Sequence, residues 1–401
     1  MNLPRILENI IGMVSQKEES VLGIDIGGSA IKIVQLKKRN GKALLETYGE
    51  VALGPYTDVE IGRSVKLPND TLSVALKDVI KEARKDIVKE EDNGVILSGI
   101  SIPLSSSLIT VASIPNLSDK NFDQIVAIEA RKYIPVSMSE ISLDWQVLPE
   151  YGSFGEGEGS KVADDKSEVG KNFSPQESVP KQSTSDRKIS KVLIVAVHTD
   201  SILRMKELFI RAGIKEKFVE VEAFSTVRAC INDRLGAFLV VDHGASATKV
   251  YVVDEGVVRL SHTISVGSQD FTLAISRSLN IAVAEAELLK RNSGLSIARG
   301  GVDLGKIMEG SLSYMVAEVD RIASEYERVN NRIVSEIVLS GGGVGLKGLP
   351  ELFEKSLKYK IRIADPFSVL DTPAFLENVL KEVGPSFAVA IGAGLRALSS
   401  D

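Results

Sequence analysis

Two copies of one fifteen-residue pattern carry the residues that could hold a phosphate chain and a divalent cation. The copies, residues 22–36 and 239–253, are offset by 217 residues and share six identical positions, including Asp25 with Asp242. Each reads as an apolar run, a D-x-G turn and a second alternating run, which predicts strand–turn–strand. A Walker loop or dinucleotide fingerprint would require strand–turn–helix instead. Backbone N–H groups of two facing turns could hold phosphates, and each aspartate could reach a hydrated cation.

A single D-x-G hairpin is a common turn and would mean little alone. Short repeat periods mark solenoids, whereas an offset of 217 residues indicates a duplicated domain. The repeat, with a lysine seven residues after each aspartate, therefore favours two nucleotide-binding halves.

A third candidate contact is the glycine cluster at residues 340–345, which follows an apolar strand and precedes a helix. Glycines at a strand end permit positive φ and let a ligand lie against the backbone. Such a run could equally be a plain turn. As a site it would suit a base or ribose, with Gly341, Gly342 and Gly343 in contact.

A fourth candidate is the helical segment that contains Glu287, Lys290 and Arg291. Glu287 and Lys290 are three residues apart and share one helix face, so they could form a solvated ion pair of little energetic value. Alternatively, Glu287 accepts hydrogen bonds from ribose hydroxyls while Lys290 or Arg291 lies along adenine.

Composition excludes several classes of function. The 401 residues suggest two or three domains, and a net charge of −6 without a basic, aromatic-interleaved patch argues against nucleic-acid binding. The lone Cys230 excludes a disulfide framework, fits a reducing cytoplasm and lies in an apolar stretch typical of a buried thiol. The three histidines show no metal-ligand spacing. No apolar run is long enough to span a bilayer, and no secretory signal is found.

The elements that must position these residues follow from periodicity. Strands are predicted in a meander over 21–51 and at 94–100, 107–114, 142–148, 191–197, 218–221 and 336–339. Helices are predicted at 70–89, 118–133, 200–212, 223–232, 268–293, 305–330, 349–357 and 385–398. Residues 1–20 form an amphipathic segment that docks on its own domain or faces a partner. Residues 150–190 have the composition of a disordered insertion.

These elements, in this order, resemble the actin-like ATPase superfamily. The fold implied is α/β, with two lobes built on duplicated mixed sheets. The resemblance assigns nucleotide contacts in the first phosphate motif to Asp25, Gly27, Gly28, Ser29 and Lys32. In the second motif it assigns them to Asp242, Gly244, Ala245, Ser246 and Thr248. It implies ATP with Mg²⁺ near Asp25 and Asp242, an adenosine motif at 340–343, and connecting helices at 221–229 and 388–398, where small residues allow close crossing.

Within the superfamily the chain resembles the PilM family of type IV pilus assembly proteins, through the motifs at 22–27, 128–135, 143–148 and 221–224. The resemblance implies an inserted SHS2-like subdomain at about 94–215, shared with FtsA. The first lobe then comprises 21–93 and 216–236, and the second lobe comprises 237–401. It also implies a cytoplasmic scaffold, peripheral to the inner membrane, that binds the N-terminal cytoplasmic tail of a PilN-like inner-membrane protein and acts indirectly on the pilus motor.

Two departures limit the expected chemistry. Ala245 stands where active relatives often carry a polar or acidic residue, and His243 stands where an aliphatic residue is usual. Glu222 matches the position of a water-orienting carboxylate, but Glu220 is adjacent and either could be a surface residue. We therefore expect ATP binding with at most slow hydrolysis.

Two alternative functions share this fold. An FtsA-like division protein would polymerise at the membrane, but such proteins end in an amphipathic helix after a linker, whereas this sequence stops at Asp401, soon after the second connecting helix. A small-molecule kinase would need a substrate-facing acid and a sugar pocket, and no motif for either is found.

Overall fold

The computed structural model describes residues 20–57, 59–60, 63–84, 96–115, 122–148, 189–232, 235–297 and 300–399. The predicted amphipathic segment at 1–20 and the predicted insertion at 150–190 therefore lie outside the described residues, apart from their last one or two positions.

The strands and helices largely match the predicted pattern. The strands are β1 (Ser20–Ile26), β2 (Ala30–Arg39), β3 (Lys42–Ala52), β4 (Ile96–Ile102), β5 (Ser107–Pro115), β6 (Ile141–Val147), β7 (Ile189–His198), β8 (Ile214–Val221), β9 (Ala237–His243), β10 (Thr248–Asp254), β11 (Val257–Ile264), β12 (Val334–Ser340) and β13 (Lys360–Ile363). The helices are α1 (Asn69–Ala83), α2 (Phe122–Ala130), α3 (Thr199–Ala212), α4 (Glu222–Cys230), α5 (Ser268–Leu279), α6 (Val283–Ser293), α7 (Leu304–Asn330), α8 (Leu349–Ser356), α9 (Glu377–Val383) and α10 (Ala388–Ser399).

Two five-stranded sheets have the same topology, as the duplicated pattern predicts. The first has the order β3-β2-β1-β4-β8 and the second the order β11-β10-β9-β12-β13. In each, the strand that ends in the motif aspartate is antiparallel to the next strand and parallel to a later one. These central strands are almost wholly apolar and buried, as strands covered on both faces must be. The duplication is therefore one of fold as well as sequence.

A third, antiparallel sheet of order β5-β7-β6 is covered on one face by α2, while its residues Ile109, Leu193 and Val197 share a core with residues of both lobes. The predicted subdomain at 94–215 included β4 and the first two residues of β8, but both strands pair within the first sheet. Helix α3 also joins the first lobe, since Arg204 and Arg211 bond to Asn69 and Asp70 of α1. We therefore propose narrower bounds, residues 107–198, for the inserted subdomain.

The predicted helix at 268–293 is wrong in one respect, because it is two helices. Asn280 adopts a left-handed conformation, φ 54°, which ends α5 before α6 begins. Asparagine tolerates this conformation better than most residues, so a single position breaks an otherwise helical pattern. By contrast, the predicted Gly213 cap of α3 is confirmed, with φ 74°.

The predicted close crossing of the two connecting helices, α4 and α10, is confirmed. A Cβ added to Gly392 of α10 would overlap the backbone of Ser225 in α4. The carbonyl of Gly392 also accepts a hydrogen bond from Arg228, at 2.9 Å. Small residues therefore set the distance between the helices that join the lobes. Among the described residues, no helix is both long and apolar enough to cross a membrane.

Candidate functional site

The two motif hairpins face each other across a cleft of about 800 Å³ between the lobes. All predicted contacts but one line this cleft, with Asp25, Gly27, Gly28, Ser29 and Lys32 on one side, Asp242, Gly244, Ala245 and Ser246 on the other, and Glu222, Glu287, Lys290, Arg291, Gly341, Gly342 and Gly343 around them. The structure thus brings together five stretches of sequence that spacing alone could only propose as neighbours.

The two hairpin turns are built in the same way. In each, the motif glycine donates its backbone N–H to the carbonyl three residues on, from Gly27 to Ala30 and from Gly244 to Ala247, both at 3.0 Å. The next carbonyl, that of Gly28 or Ala245, accepts from a residue outside the hairpin. The turns are therefore held rigidly, as a preorganised anion site requires.

Each motif aspartate lies directly opposite a lysine on the neighbouring strand. The strand register pairs Asp25 with Lys32 and Asp242 with Lys249. Residues opposite each other in an antiparallel pair project from the same face of the sheet. Each half of the site therefore presents one carboxylate and one ammonium group to the cleft.

The carboxylates are held under electrostatic strain. Burial raises the pKa of Asp25 from its ordinary value to about 6, and Glu222 adds repulsion, although Lys32 and Lys249 oppose the rise. Burial also raises the pKa of Asp242, against the attraction of Lys249. A cation bound between the two carboxylates would relieve this strain, because an opposite charge favours the ionised form.

Glu222 does not project freely toward solvent, as a water-orienting carboxylate would. It is only 5% exposed; one carboxylate oxygen accepts from the Leu104 N–H at 2.5 Å and the other from Lys249 Nζ at 2.6 Å. Burial would lower the pKa of Lys249, but the attraction of Glu222 and Asp242 outweighs it and raises that pKa. Both oxygens of Glu222 are thus already engaged.

Thr248 is the predicted contact that does not line the cleft, and the structure gives it a structural role instead. It is fully buried, and its hydroxyl donates to the Val266 carbonyl and pairs with His243 Nδ1, both at 2.7 Å. Burial lowers the pKa of His243 to about 3, so this histidine is neutral and packs against Phe271. The unusual His243 therefore serves the packing of the second hairpin.

Glu287 and Lys290 form a buried pair, so the solvated ion pair considered from the sequence is wrong. Lys290 is 4% exposed, and its Nζ lies 2.7 Å from Glu287 and donates to Ser268 and Thr272. Burial would raise the pKa of Glu287, but Lys290 holds it below its ordinary value. The Arg291 side chain is 68% exposed and reaches Glu287 at 2.7 Å. Of the two cations, Arg291 is the one able to move onto a ligand.

The glycine cluster is required by close packing at two positions. Gly341 has φ 89°, and a Cβ there would overlap Asp242, while a Cβ at Gly343 would overlap the ring of His243. Gly342 lies between them and faces the cleft with more room. The glycines therefore allow the end of β12 to pack directly against the second hairpin, and the backbone around Gly342 remains open to a ligand.

Sequence reasoning missed two contributors to the cleft, Ser64 and Gln269, and noted a third, Lys249, in the repeat without assigning it a contact. Lys249 was present in the repeat as the equivalent of Lys32, and that equivalence could have identified it. Ser64 and Gln269 gave no signal. The Ser64 N–H donates to Gln269 Oε1 at 2.9 Å and joins the lobes across the mouth of the cleft. The two residues are 205 positions apart.

The donor set fits a cation held jointly with a ligand rather than by protein alone. Among the described residues, no cluster of three or more His, Cys, Asp or Glu could hold a metal ion. Asp25 and Asp242 provide two carboxylates on opposite walls, which suits Mg²⁺, since that ion keeps several waters and takes one or two carboxylates with substrate phosphates. The buried Cys230, whose pKa burial raises to about 12, is a structural thiol as predicted.

Two equivalent sheets with facing aspartate hairpins and crossed connecting helices define an actin-like fold. The chain belongs to the family described as type IV pilus assembly protein PilM, whose model matches residues 23–156 and 173–398. A solved structure described as a PilM-PilN type IV pilus biogenesis complex aligns with 95% of this chain and 99% of its own, at 22% identity and a TM-score of 0.70.

The chain is also similar to cell division protein FtsA. The protein from Agrobacterium fabrum is 26% identical over 227 residues, 50% of this chain and 49% of FtsA. The protein from Streptococcus pneumoniae is 24% identical over 395 residues, 90% of this chain and 78% of FtsA. The chain thus spans about half the length of the first of these relatives.

Proposed function

We propose that this protein binds ATP with Mg²⁺ in the cleft and acts as a nucleotide-dependent scaffold in type IV pilus assembly. The observation that carries the proposal is the pair of equivalent hairpins, each with a strand-end aspartate, an opposed lysine and a rigid glycine turn. One such hairpin would be an ordinary turn. Two that face each other across 800 Å³ form a charged clamp of the size of a nucleotide site.

Each part of the cleft has a role in this proposal. The turn amides, Lys32 and Lys249 hold the phosphate chain, while Asp25 and Asp242 hold water molecules of the cation. The bound Mg²⁺ supplies positive charge that neutralises the phosphates and both carboxylates together. The surface around Gly342 receives the nucleoside, and Arg291, with its exposed side chain, lies along the base or ribose.

The proposed chemistry is binding with at most slow hydrolysis. A carboxylate that orients attacking water must be held within hydrogen-bond reach of that water, beside the terminal phosphate. In the free protein Leu104 and Lys249 hold both oxygens of Glu222, so Glu222 is not preset for that role, and Ala245 in the second hairpin supplies no polar side chain in its place. ATP would therefore act chiefly by holding the two lobes together, through contacts made in the closed state and lost in the open one.

The proposed partner is the N-terminal cytoplasmic tail of a PilN-like inner-membrane protein. Family membership and similarity to a structure described as a PilM-PilN complex support this choice. The groove between the first lobe and the three-stranded sheet is the proposed binding surface, where an apolar peptide would bury side chains and pair with a strand edge. The protein would thus act in the cytoplasm and meet the membrane only through its partner.

The test is a calorimetric titration of the tail of the neighbouring single-span membrane protein into this protein, with and without Mg–ATP. We expect a dissociation constant in the micromolar range, about −8 kcal/mol, because the peptide must become ordered on binding. We also expect ATP to change that affinity. If ATP leaves the affinity for the tail unchanged, the scaffold function stands, but the proposal that ATP controls tail binding by holding the lobes together is wrong. No tail binding, together with filaments of the protein on lipid, would favour an FtsA-like function instead.

A further inference from the structure

Glu222 joins three parts of the molecule through one buried carboxylate. It is the first residue of α4, the connecting helix of the first lobe. One oxygen accepts from the backbone of Leu104, and the other accepts from Lys249 on β10 of the second lobe. Hydrogen bonds to ionised groups are among the strongest in proteins, so the three parts are firmly connected.

Leu104 stands where the chain enters the inserted subdomain. It begins the short turn Leu104–Ser106, which connects β4 of the first sheet to β5 of the three-stranded sheet. The flanking residues Pro103 and Ser105 line the nucleotide cleft. The connection to the subdomain is therefore itself part of the cleft wall.

The two motif lysines differ in what they hold. Lys32 Nζ lies 4.0 Å from the carboxylate of the half-exposed Glu50, which is a long ion-pair distance. Lys249 lies 2.6 Å from Glu222 and 3.7 Å from Asp242, and both carboxylates are buried. A phosphate placed between the hairpins would compete with Glu222 and Asp242 for Lys249, whereas at Lys32 it would compete with the long contact to Glu50 and the attraction of Asp25. The two halves of the site therefore differ, because the Lys249 half is connected through Glu222 to the turn that enters the inserted subdomain.

We propose that Glu222 is a positioning residue that transmits nucleotide occupancy to the inserted subdomain. In the free protein, Lys249 holds Glu222 and Glu222 holds the turn at Leu104. When phosphates draw Lys249 away, the buried Glu222 carboxylate is left without a counter-charge beside negative phosphates, so it moves away from them and its bond to the Leu104 N–H is lost. This inference rests on the proposed nucleotide site, and it replaces the water-orienting role with a mechanical one.

The test is hydrogen–deuterium exchange over residues 103–109, with and without Mg–ATP, in the wild-type protein and in Glu222→Gln. In wild type we expect ATP to speed exchange at Leu104 about tenfold, as loss of a bond to a charged acceptor implies. In Glu222→Gln the amide oxygen can still accept from Leu104 but carries no charge for Lys249. Exchange in that variant should therefore be the same with and without ATP.

Glu220→Gln is the matched control, because it removes the same charge two residues away. Both carboxylate oxygens of Glu220 accept from Arg228 rather than from Lys249, so the response to ATP should remain as in wild type. If Glu222→Gln does not fold, Glu222→Asp replaces it: the shorter side chain keeps the charge and leaves Lys249 in place but cannot reach Leu104 and Lys249 together, so exchange at Leu104 should not respond to ATP that calorimetry shows to be bound.

Calorimetry run in parallel separates this inference from the proposed function. ATP that binds without altering exchange at Leu104 overturns this inference alone, as does a Glu222→Gln response equal to wild type. ATP that does not bind wild type overturns the proposed function as well.

Discussion

Asp25→Asn should make the free protein more stable at neutral pH and yet abolish its stabilisation by Mg–ATP. The pKa of Asp25 is about 6 in the folded protein, against an ordinary value of 3.8. The folded state thus binds this proton more tightly than the unfolded state. As pH rises from about 4 to about 6, the free energy of unfolding therefore falls, and the loss is complete above about pH 6.

The size of this effect follows from the shift. Each pKa unit corresponds to about 1.4 kcal/mol, so the rise to about 6 gives at most about 3 kcal/mol. Asp25 keeps some contact with solvent in the cleft, which reduces this to about 1–2 kcal/mol. The asparagine side chain cannot ionise and has nearly the same shape as aspartate. The variant should therefore be more stable by that amount at pH 8 and equal to wild type near pH 4.

Urea unfolding at pH 4, 6 and 8 measures the difference in free energy of unfolding between Asp25→Asn and wild type. At pH 8, Mg–ATP at about 100 times its dissociation constant should make wild type the more stable of the two. Ligand at that ratio stabilises wild type by about 2.7 kcal/mol and the variant much less. Asp254→Asn is the control, because Asp254 is fully buried but is held by Arg332 and Tyr326, so its loss should destabilise the protein at pH 6 and 8 alike. Asp25→Asn that is less stable than wild type at pH 8 without ligand would refute the reasoning.

Three further predictions concern the surroundings of the cleft. Gly392→Ala should lower the free energy of unfolding in urea by about 3 kcal/mol or more, because the added Cβ overlaps α4. The control Gly310→Ala, in open space on α7, should raise it by about 0.5–1 kcal/mol. Equal effects would contradict the close crossing. Lys290→Met should lower the free energy of unfolding by about 3–5 kcal/mol because it leaves the buried Glu287 carboxylate without its closest cation. Arg291→Met should leave stability nearly unchanged and weaken ATP binding in calorimetry. Unchanged ATP affinity in Arg291→Met would remove Arg291 from the site. Replacing residues 150–188 with a short Gly/Ser linker should leave melting temperature and ATP affinity unchanged, since the flanking strands β6 and β7 pair and bring the ends together. A large loss in either quantity would show that the segment contains a structured element.

The parts of the site that sequence predicted are those encoded locally. An apolar strand, a D-x-G turn and an alternating strand specify a hairpin within fifteen residues, and both hairpins have the expected form. The resemblance placed the two connecting helices, and the small residues of α10 then predicted their close crossing. Because the second pattern repeats the first, the sequence could propose that the two hairpins face each other, and the structure places Asp25 and Asp242 in one cleft.

The parts that sequence did not predict depend on distant partners. Strand β4 has the pattern of any buried strand, and only its pairing with β1 assigns it to the first sheet. The Ser64–Gln269 bond connects loops that no local pattern relates. Glu222 could be placed at the cleft from its motif, but its role changes once Leu104 and Lys249 are known to occupy both oxygens.

The most direct test of nucleotide binding between the paired hairpins is isothermal titration calorimetry of Mg–ATP with wild type and Asp242→Asn. We expect one site per chain in wild type and affinity at least about tenfold weaker in the variant, because one of two carboxylates facing the hydrated cation is lost. No binding to wild type, or equal affinity for both proteins, would contradict the account.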